Sequence, residues 1–239
     1  MSGKLIVFEG TDGSGKATQS KLLCQYLERQ GIPYRHITFP RYGKPSAAMV
    51  QEYLDGNLGK KADDVSAYAA SMFYAMDRYA SYKQDWGDFY EENNGLIIAD
   101  RYTTSKAVHQ ASKLPVEERK VYLDWLFDTE YRLFGLPKPD LVLYLDMPTE
   151  ITERMMRSRE AATGTHADIH EQDREYLKRC REGAQDVVKL CGWTVVHCGQ
   201  GDGPRTIEDI HAEVLAPDNP LCRLAPDRIY FQMRQSHTL

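Results

Sequence analysis

The chain has 239 residues, 42% of them hydrophobic, and a formal net charge of −5. This length suits one sizeable α/β domain, and the negative charge argues against a broad nucleic-acid-binding surface. The sequence contains no apolar run of about 18 residues that could cross a membrane, and its five cysteines form no C-x-x-C pair. We therefore expect a cytoplasmic protein with reduced thiols and no nucleic-acid or membrane partner. A core strand predicted almost at the first residue leaves no room for a signal peptide.

The first predicted element is a short apolar strand, Leu5–Phe8, which leads into a glycine-rich turn. The turn has the spacing Gly10-x-x-x-x-Gly15-Lys16, and a helical pattern begins at the lysine. Glycines let backbone N–H groups curl around phosphate oxygens, and a helix N-terminus adds partial positive charge, so this pattern predicts a phosphate-binding loop. Ala17 stands where a Ser or Thr hydroxyl normally binds magnesium. The alternative is a glycine-rich strand-to-helix turn with a solvated lysine.

Strands and helices alternate along the rest of the chain. The first helix closes at Gly31-Ile32-Pro33. The later predicted strands are Tyr34–Phe39, Gly95–Asp100, Leu141–Leu145 and Trp193–Cys198. The later predicted helices are Ser46–Leu54 with Ser46 as its cap, Asp63–Trp86, Thr104–Ser112, Pro115–Phe134, Thr149–Glu160, Ile169–Leu190 and Thr206–Leu215. This alternation predicts a three-layer α/β/α fold of the P-loop NTPase type with a five-stranded parallel sheet.

Two further segments bear on the domain organisation. Small residues at 161–167 predict a mobile loop. Prolines interrupt the pattern beyond residue 216, so we predict a domain at 1–216 and an extension at 217–239 that lies against it or is partly disordered.

The long helix Asp63–Trp86 carries two patterns. Its predicted apolar side consists of Val65, Tyr68, Ala69, Met72, Phe73 and Met76. Tyr74 and Arg78 are four residues apart and share a face, an arrangement that suits stacking on a flat base with hydrogen bonds to its edge. Ordinary core packing is the alternative for Tyr74.

Charged and aromatic residues follow the predicted strands at the edge where ligands bind in such folds. Asp100-Arg101-Tyr102 follows the third strand, and Phe39-Pro40-Arg41-Tyr42 ends the second. Arginine offers a planar fork for a phosphate, and aspartate can hold a metal-bound water or orient a nucleophile. The alternative for Asp100 and Arg101 is a helix cap and a surface ion pair.

Five motifs together resemble the thymidylate kinases. They are Phe8-Glu-Gly-x-Asp12-Gly-x-Gly-Lys16, Phe39-Pro-Arg-Tyr42, Asp77-Arg78, Asp100-Arg-Tyr102 and Gly135-Leu-Pro-Lys-Pro-Asp140, in this order and at similar intervals between Lys4 and Leu215. The resemblance implies transfer of the γ-phosphate of ATP to the 5′-phosphate of dTMP, with Mg²⁺ as cofactor. It also implies a homodimer built by long helices such as Asp63–Trp86.

The resemblance further implies a role for each matching position. Catalysis would use Lys16, Asp12, Asp100, Arg101 and Arg157, and the magnesium would be held by Asp12 and Asp100. ATP would contact Gly10, Thr11, Asp12, Gly13, Ser14, Gly15, Lys16, Ala17, Thr18 and Arg154. The nucleotide dTMP would contact Phe39, Arg41, Tyr42, Tyr74, Arg78, Arg101, Lys106 and His109.

A mobile lid at about 154–168 is also implied. Because the loop Asp12-Gly13-Ser14 contains no arginine, the lid would supply one from Arg154, Arg157 and Arg159. The alternative for these three is a solvated helix face. The stretch Asp168-Ile-His170-Glu171 would fold back over the nucleotide.

Three positions depart from the family pattern. Ala17 lacks the metal-binding hydroxyl, Lys106 replaces a small or amide residue beside the base, and His109 replaces an aromatic residue. A kinase for another nucleoside monophosphate or a deoxynucleoside therefore stays open, as does a catalytically weak nucleotide-binding protein.

Overall fold

The structure, a computed structural model, describes residues 3–92, 95–155 and 174–224. The predicted loop at 161–167, most of the predicted lid and most of the 217–239 extension lie outside the described residues. The same holds for Arg157, Arg159, Asp168, His170 and Glu171.

The core of the fold is a parallel sheet of five strands in the order β2-β3-β1-β4-β5. The strands are β1 Lys4–Glu9, β2 Tyr34–Thr38, β3 Leu96–Asp100, β4 Leu141–Asp146 and β5 Thr194–His197. In register, Val7 of β1 lies opposite Ala99 of β3 and Val142 of β4. The predicted five-stranded parallel sheet is confirmed. Two short antiparallel strands, β6 Gly199–Gln200 and β7 Gly203–Pro204, form a hairpin after it.

Helices cover both faces of the sheet. They are α1 Lys16–Arg29, α2 Ala48–Leu54, α3 Ala67–Ser81, α4 Gly87–Glu92, α5 Thr104–His109, α6 Val116–Phe127, α7 at 149–155, α8 Arg174–Cys191, α9 Ile207–Val214 and α10 Leu221–Leu224. None of the helices within the described residues has the length and apolar character needed to cross a bilayer.

Alternating side chains of β1 build the two halves of the core. Ile6 and Phe8 pack in the cluster that contains Leu23 of α1 and Val214 of α9. On the other side, Leu5 and Val7 pack in the cluster that contains Trp86 and Tyr102. Because successive strand residues point to opposite faces, one apolar strand supports both helical layers, as the predicted three-layer fold requires.

The first residues of the predicted extension pack against the domain. Leu221 and Cys222 are buried in the same cluster as α1 and α9, and the amide of Asn219 donates to the carbonyl of Glu213 at 3.2 Å. The division at residue 216 stays a prediction.

Two predicted helix starts are wrong. The predicted cap Ser46 does not cap a helix, because its hydroxyl donates to Asp77 Oδ1 at 2.6 Å and α2 begins later, after a single turn at Pro45–Ala47. The helix predicted from Asp63 begins at Ala67, and Ser66 caps it by accepting from the N–H of Ala69 at 3.2 Å. Side-chain hydrogen bonds at a helix start override a periodic pattern.

The predicted apolar side of α3 is also wrong. Tyr68 and Met76 are 38% and 46% exposed. The buried side of the helix instead carries Tyr74, Asp77 and Arg78. Burial of these charges is possible because each has an ionic partner elsewhere in the fold, which a helical pattern does not reveal.

The partner of Arg78 is Glu130, in the helical turn Asp128–Leu133 that continues α6. Arg78 Nε donates to Glu130 Oε2 at 2.6 Å, and the NH2 group donates to Oε1, so the pair is bidentate. The two side chains are 1% and 0% exposed. The hydroxyl of Thr103 also donates to Glu130 Oε2 at 2.8 Å. This ion pair joins α3, α6 and the loop after β3.

Replacing Glu130 with Gln should lower the free energy of unfolding by about 3–5 kcal/mol, because Arg78 would stay buried without a countercharge. Urea unfolding followed by circular dichroism measures the change. Asp128→Asn is the matched control, because it removes an exposed ion pair with Arg132 and should leave the unfolding curve unchanged. Equal losses in the two variants would contradict a stabilising role for the Arg78–Glu130 pair.

Candidate active site

The phosphate-binding loop lies between β1 and α1, at the carboxyl edge of the sheet. Gly10 has a φ of 150°, and a Cβ added there would lie 2.5 Å from Ser14 Oγ and 2.7 Å from the carbonyl oxygen of Leu145. Gly15, at the start of α1, has a φ of 93°. The glycines are therefore required by the backbone path itself, and the strand, loop and helix occur in the predicted order.

Lys16 is the central cation of this loop. Its side chain is buried, and Nζ donates to the carbonyl of Thr11 at 2.7 Å. Burial, reinforced by repulsion from Arg101 and opposed by Asp12, lowers the pKa of Lys16 from 10.5 to about 8. The ammonium is held over the loop where phosphate oxygens could replace Thr11 as acceptors.

Arg101 links the loop after β3 to the phosphate-binding loop. Its NH2 group donates to Asp12 Oδ1, and its NH1 lies 3.4 Å from Nε2 of His109. Burial disfavours its charge, but Asp12, Glu9 and Asp100 outweigh this and raise the pKa of Arg101. The φ of Arg101 is 68°, a left-handed conformation that side chains other than glycine adopt at a cost. The fold holds this strained residue at the centre of the site.

Glu9 and Asp100, two carboxylates near Arg101 and Asp12, differ in their hydrogen-bond partners. Glu9 is fully buried and accepts from the hydroxyls of Thr104 and Ser105 at 2.8 Å each. Asp100 has a buried Oδ1 without a hydrogen-bond partner among the described residues. Asp100 is therefore the carboxylate with capacity for a further ligand.

A cleft of about 350 Å³ opens beside these groups. It is lined by Asp12, Gly13, Gly15, Lys16, Ala17, Thr18, Asp100, Arg101 and Met155. Both predicted metal ligands and the predicted catalytic Lys16 and Arg101 thus face one space. A second cavity of about 450 Å³, beside Leu141 and Trp193, contains none of the predicted site residues.

Arg41, predicted to contact the acceptor nucleotide, donates its hydrogen bonds to side chains within the protein. Its Nε donates to Asp77 Oδ1 at 3.0 Å, its NH2 donates to Ser46 Oγ at 2.8 Å, and its NH1 donates to Asp85. The predicted neighbours of Arg41 differ in exposure: Phe39 is buried and Tyr42 is 58% exposed. A phosphate at Arg41 would compete with these carboxylates.

Tyr74, Lys106 and His109 are buried near Arg101, as their predicted roles around one nucleotide require. The amine of Lys106 lies 3.2 Å from the centre of the Tyr74 ring. Burial, together with Arg78 and Arg101, lowers the pKa of Lys106 well below its usual 10.5. Arg78 donates from Nε and NH2 to Glu130, and its contact with the base edge stays a prediction.

Arg154 is the lid arginine within the described residues. It is exposed, and its NH2 donates to the carbonyl of Asp202 in the turn between β6 and β7. The guanidinium of Arg154 therefore contacts that turn, while Arg157 lies outside the described residues.

Sequence reasoning missed three carboxylates that organise the site. Glu9 and Asp77 belong to motifs that were recognised, but neither received a role. Glu130 stands in no motif, and it is brought to Arg78 across 52 residues of sequence by tertiary packing alone. An acidic residue within an otherwise apolar strand, as at Glu9, is the kind of signal that could have been used, because a buried carboxylate needs partners.

A glycine-rich loop holding a buried lysine between a parallel strand and a helix, with an arginine and two carboxylates facing the same cleft, defines a P-loop phosphate-transferring protein. The family model "Thymidylate kinase" matches residues 8–214. The chain belongs to the thymidylate kinase family. Members of this family are ATP-dependent nucleoside monophosphate kinases.

Individual relatives agree with this assignment. The thymidylate kinase of Mycobacterium tuberculosis (strain CDC 1551 / Oshkosh) is 32% identical over 177 residues, covering 73% of this chain and 81% of the relative. That of Symbiobacterium thermophilum is 30% identical over 212 residues, covering 87% and 89%. The fold is similar to that of a thymidylate kinase structure from Candida albicans, with a TM-score of 0.64, 22% identity and 89% coverage of both chains.

Raising the pH through about 8 should reduce kcat/KM for ATP by about tenfold per pH unit, because free Lys16 loses its proton near that pH. At roughly one unit or more below the pKa the ammonium is almost fully protonated, so the profile should be flat below about pH 7. Initial rates measured across the pH range test this.

The control is Lys16→Arg, whose guanidinium stays charged throughout the range. Its profile should lose the fall near pH 8, whatever its absolute rate. A profile for the unsubstituted protein that stays flat to about pH 9.5 would contradict the role of the Lys16 charge.

Proposed function

We propose that this protein transfers the γ-phosphate of ATP to the 5′-phosphate of dTMP, giving ADP and dTDP. The observation that carries the proposal is the single cleft shared by Lys16, Arg101, Asp12 and Asp100. Membership of the thymidylate kinase family supports the choice of both substrates.

The residues around the cleft divide into donor and acceptor contacts. The loop from Gly10 to Thr18 and Lys16 bind the donor phosphates, with backbone N–H groups and the ammonium offsetting their charge. Arg101 lies between the loop and His109 and binds the acceptor phosphate. The acceptor phosphate is already an anion at neutral pH, so the reaction needs no strong general base.

Magnesium is part of the proposal, and the residues present fit it. The buried, unpartnered Oδ1 of Asp100 and the carboxylate of Asp12 face the same cleft, although Asp12 also accepts from Arg101. Mg²⁺ commonly binds through one or two carboxylates plus phosphates and water, and the cleft supplies two carboxylates. When bound, the ion offsets negative charge on the transferred group. Ala17 contributes no hydroxyl, so Asp12 and Asp100 would be the side chains that hold the ion.

Assays of ADP release with a panel of nucleoside monophosphates test the function. We expect dTMP to be phosphorylated with a kcat/KM well above those of AMP, GMP and dCMP. Lys16→Met should lower kcat by orders of magnitude, since the transition-state charge loses its buried cation. Equal rates with dTMP and dCMP would contradict the thymine assignment, and normal turnover by Lys16→Met would contradict the phosphate site.

We also propose that the protein forms a homodimer through α3. The exposed ring of Tyr68 lies 4.7 Å from the ring of Trp125, and that of Tyr79 lies 5.7 Å from Phe134. Tyr68, Met76 and Tyr79 are exposed on α3 and form an apolar stripe of the kind that marks an interface. A cytoplasmic location is the last part of the proposal, supported by five free thiols.

Met76→Glu should convert the dimer to a monomer, because a charge at the centre of the stripe would be buried on association. Sedimentation velocity measures the mass. The control is Ile207→Glu, which places a charge on another exposed apolar residue, in α9 beside α1. This variant should stay dimeric. A monomeric unsubstituted protein, or a dimer of Met76→Glu with unchanged affinity, would contradict the proposed interface.

A further inference from the structure

The guanidinium of Arg41 is shared between two carboxylates. Its Nε donates to Asp77 Oδ1 at 3.0 Å, its NH1 donates to Asp85, and its NH2 donates to Ser46 Oγ at 2.8 Å. One positive charge thus meets two negative charges, and the group formed by Arg41, Asp77 and Asp85 is negative overall. A phosphate that approaches Arg41 is repelled by this excess charge unless one of the carboxylates leaves.

The fold holds the two carboxylates with different strength. The side chain of Asp77 is 1% exposed, and its oxygens also accept from the backbone N–H of Arg41 at 2.8 Å and from Ser46 Oγ at 2.6 Å. The side chain of Asp85 is 50% exposed. Its other hydrogen bond within the described part of the chain is a long one, from Ser81 Oγ at 3.4 Å. Breaking a buried ion pair costs far more free energy than breaking an exposed one, so Asp85 is the carboxylate that can leave.

A widened helical turn brings Asp85 to Arg41. Asp77 and Asp85 are eight residues apart, so in a regular α-helix they would lie about 80° apart around the axis. Between them, α3 continues into a π-helical turn at Tyr82–Trp86, which has more residues per turn and rotates Asp85 back toward the side of Asp77. Turns of this kind occur frequently at functional sites. The contact between Asp85 and Arg41 therefore depends on a specific feature of the backbone.

Arg41 also lies close in the fold to the proposed acceptor site. The backbone N–H of Phe39 donates to the carbonyl of Asp100 at 3.2 Å, so the segment that carries Arg41 begins beside the segment that carries Arg101. A guanidinium has five N–H donors, and three contacts to side chains leave two of them for phosphate oxygens. Arg41 therefore has donors for a phosphate, while the second carboxylate opposes the charge of that phosphate.

We propose that Asp85 competes with the acceptor phosphate for Arg41. Asp85 holds NH1 of Arg41 in the free protein and gives up this contact when the 5′-phosphate of the nucleotide arrives, while Asp77 stays in place. This inference rests on the proposed function, with Arg41 in contact with the acceptor nucleotide. Because the phosphate must displace Asp85, the KM for dTMP is higher than the same site would give without that carboxylate.

The decisive variant is Asp85→Asn, which keeps the size of the side chain and removes its charge. The KM for dTMP should fall by about 3- to 10-fold, as expected for the loss of one ionic competitor in a partly exposed site. The value of kcat should stay nearly constant, because the contact of Arg41 with the phosphate is the same in the ground state and the transition state. Isothermal titration calorimetry should show an equal fall in the dissociation constant of dTMP, and the KM for ATP should not change.

Thymidine separates competition for the phosphate from a change in the shape of the site. It has the base and sugar of dTMP and lacks the 5′-phosphate, so its binding leaves Asp85 in contact with Arg41. The inhibition constant of thymidine against dTMP should therefore be the same in Asp85→Asn and in the unsubstituted protein. A substitution that only reshaped the site would change the constants of both ligands.

Two further variants control for charge and for local structure. Asp88→Asn removes the same charge from an exposed residue three positions further along the helix, which is not among the hydrogen-bond partners of Arg41. This variant should leave the KM for dTMP unchanged. Asp85→Glu retains a carboxylate and should keep the KM for dTMP close to that of the unsubstituted protein.

The outcomes distinguish this inference from the proposed function. In a protein that phosphorylates dTMP, a KM for dTMP that Asp85→Asn leaves unchanged or raises would overturn the role of Asp85 alone. An equal fall in KM for Asp88→Asn, or an equal fall in the inhibition constant of thymidine for Asp85→Asn, would also overturn it. An unsubstituted protein that phosphorylates no nucleoside monophosphate would overturn the proposed function, and this inference with it.

Discussion

The structure depends on the burial of positive charge at the carboxyl edge of its parallel sheet. Lys16, Arg78 and Lys106 are buried, and Arg101 is partly buried. Charges removed from water are stable only when other groups offset the cost. The way in which the nearby carboxylates are shared among these four cations therefore determines which cations hold the fold together and which are left for a ligand.

The carboxylates are shared unevenly among the four cations. Arg78 has a full bidentate partner in Glu130 and holds three parts of the fold together. Arg101 is paired with Asp12, a contact that a bound phosphate or magnesium would have to compete with. Among the described residues, Lys16 donates to a backbone carbonyl and the Lys106 amine lies over an aromatic ring. The two lysines accordingly have lowered pKa values, and both would gain most from an anionic or carbonyl-bearing ligand.

The two sides of α3 show the same constraint at the level of the fold. The helix buries Asp77 and Arg78 because Arg41 and Glu130 meet them, and it leaves Tyr68, Met76 and Tyr79 at the surface. Contiguous apolar patches of this kind are uncommon on the surface of monomeric proteins and mark interaction sites. We propose that the polar side of α3 contributes to the nucleotide site and that its apolar side packs against a second copy of the chain.

The order of strands and helices, the parallel sheet and the phosphate-binding loop around Lys16 could be predicted from the sequence alone. These features depend on local patterns, such as apolar runs in buried strands and glycines where the backbone turns sharply at Gly10. The family resemblance, carried by short motifs, also identified the residues that line the cleft, except Met155. Tertiary contacts determine which side of α3 is buried, that Glu130 pairs with Arg78, that Ser46 contacts Asp77 instead of capping a helix, and that the Lys106 amine lies over the Tyr74 ring. Each of these depends on contacts between residues far apart in the chain, and the free energy of burying a charge depends on those contacts alone.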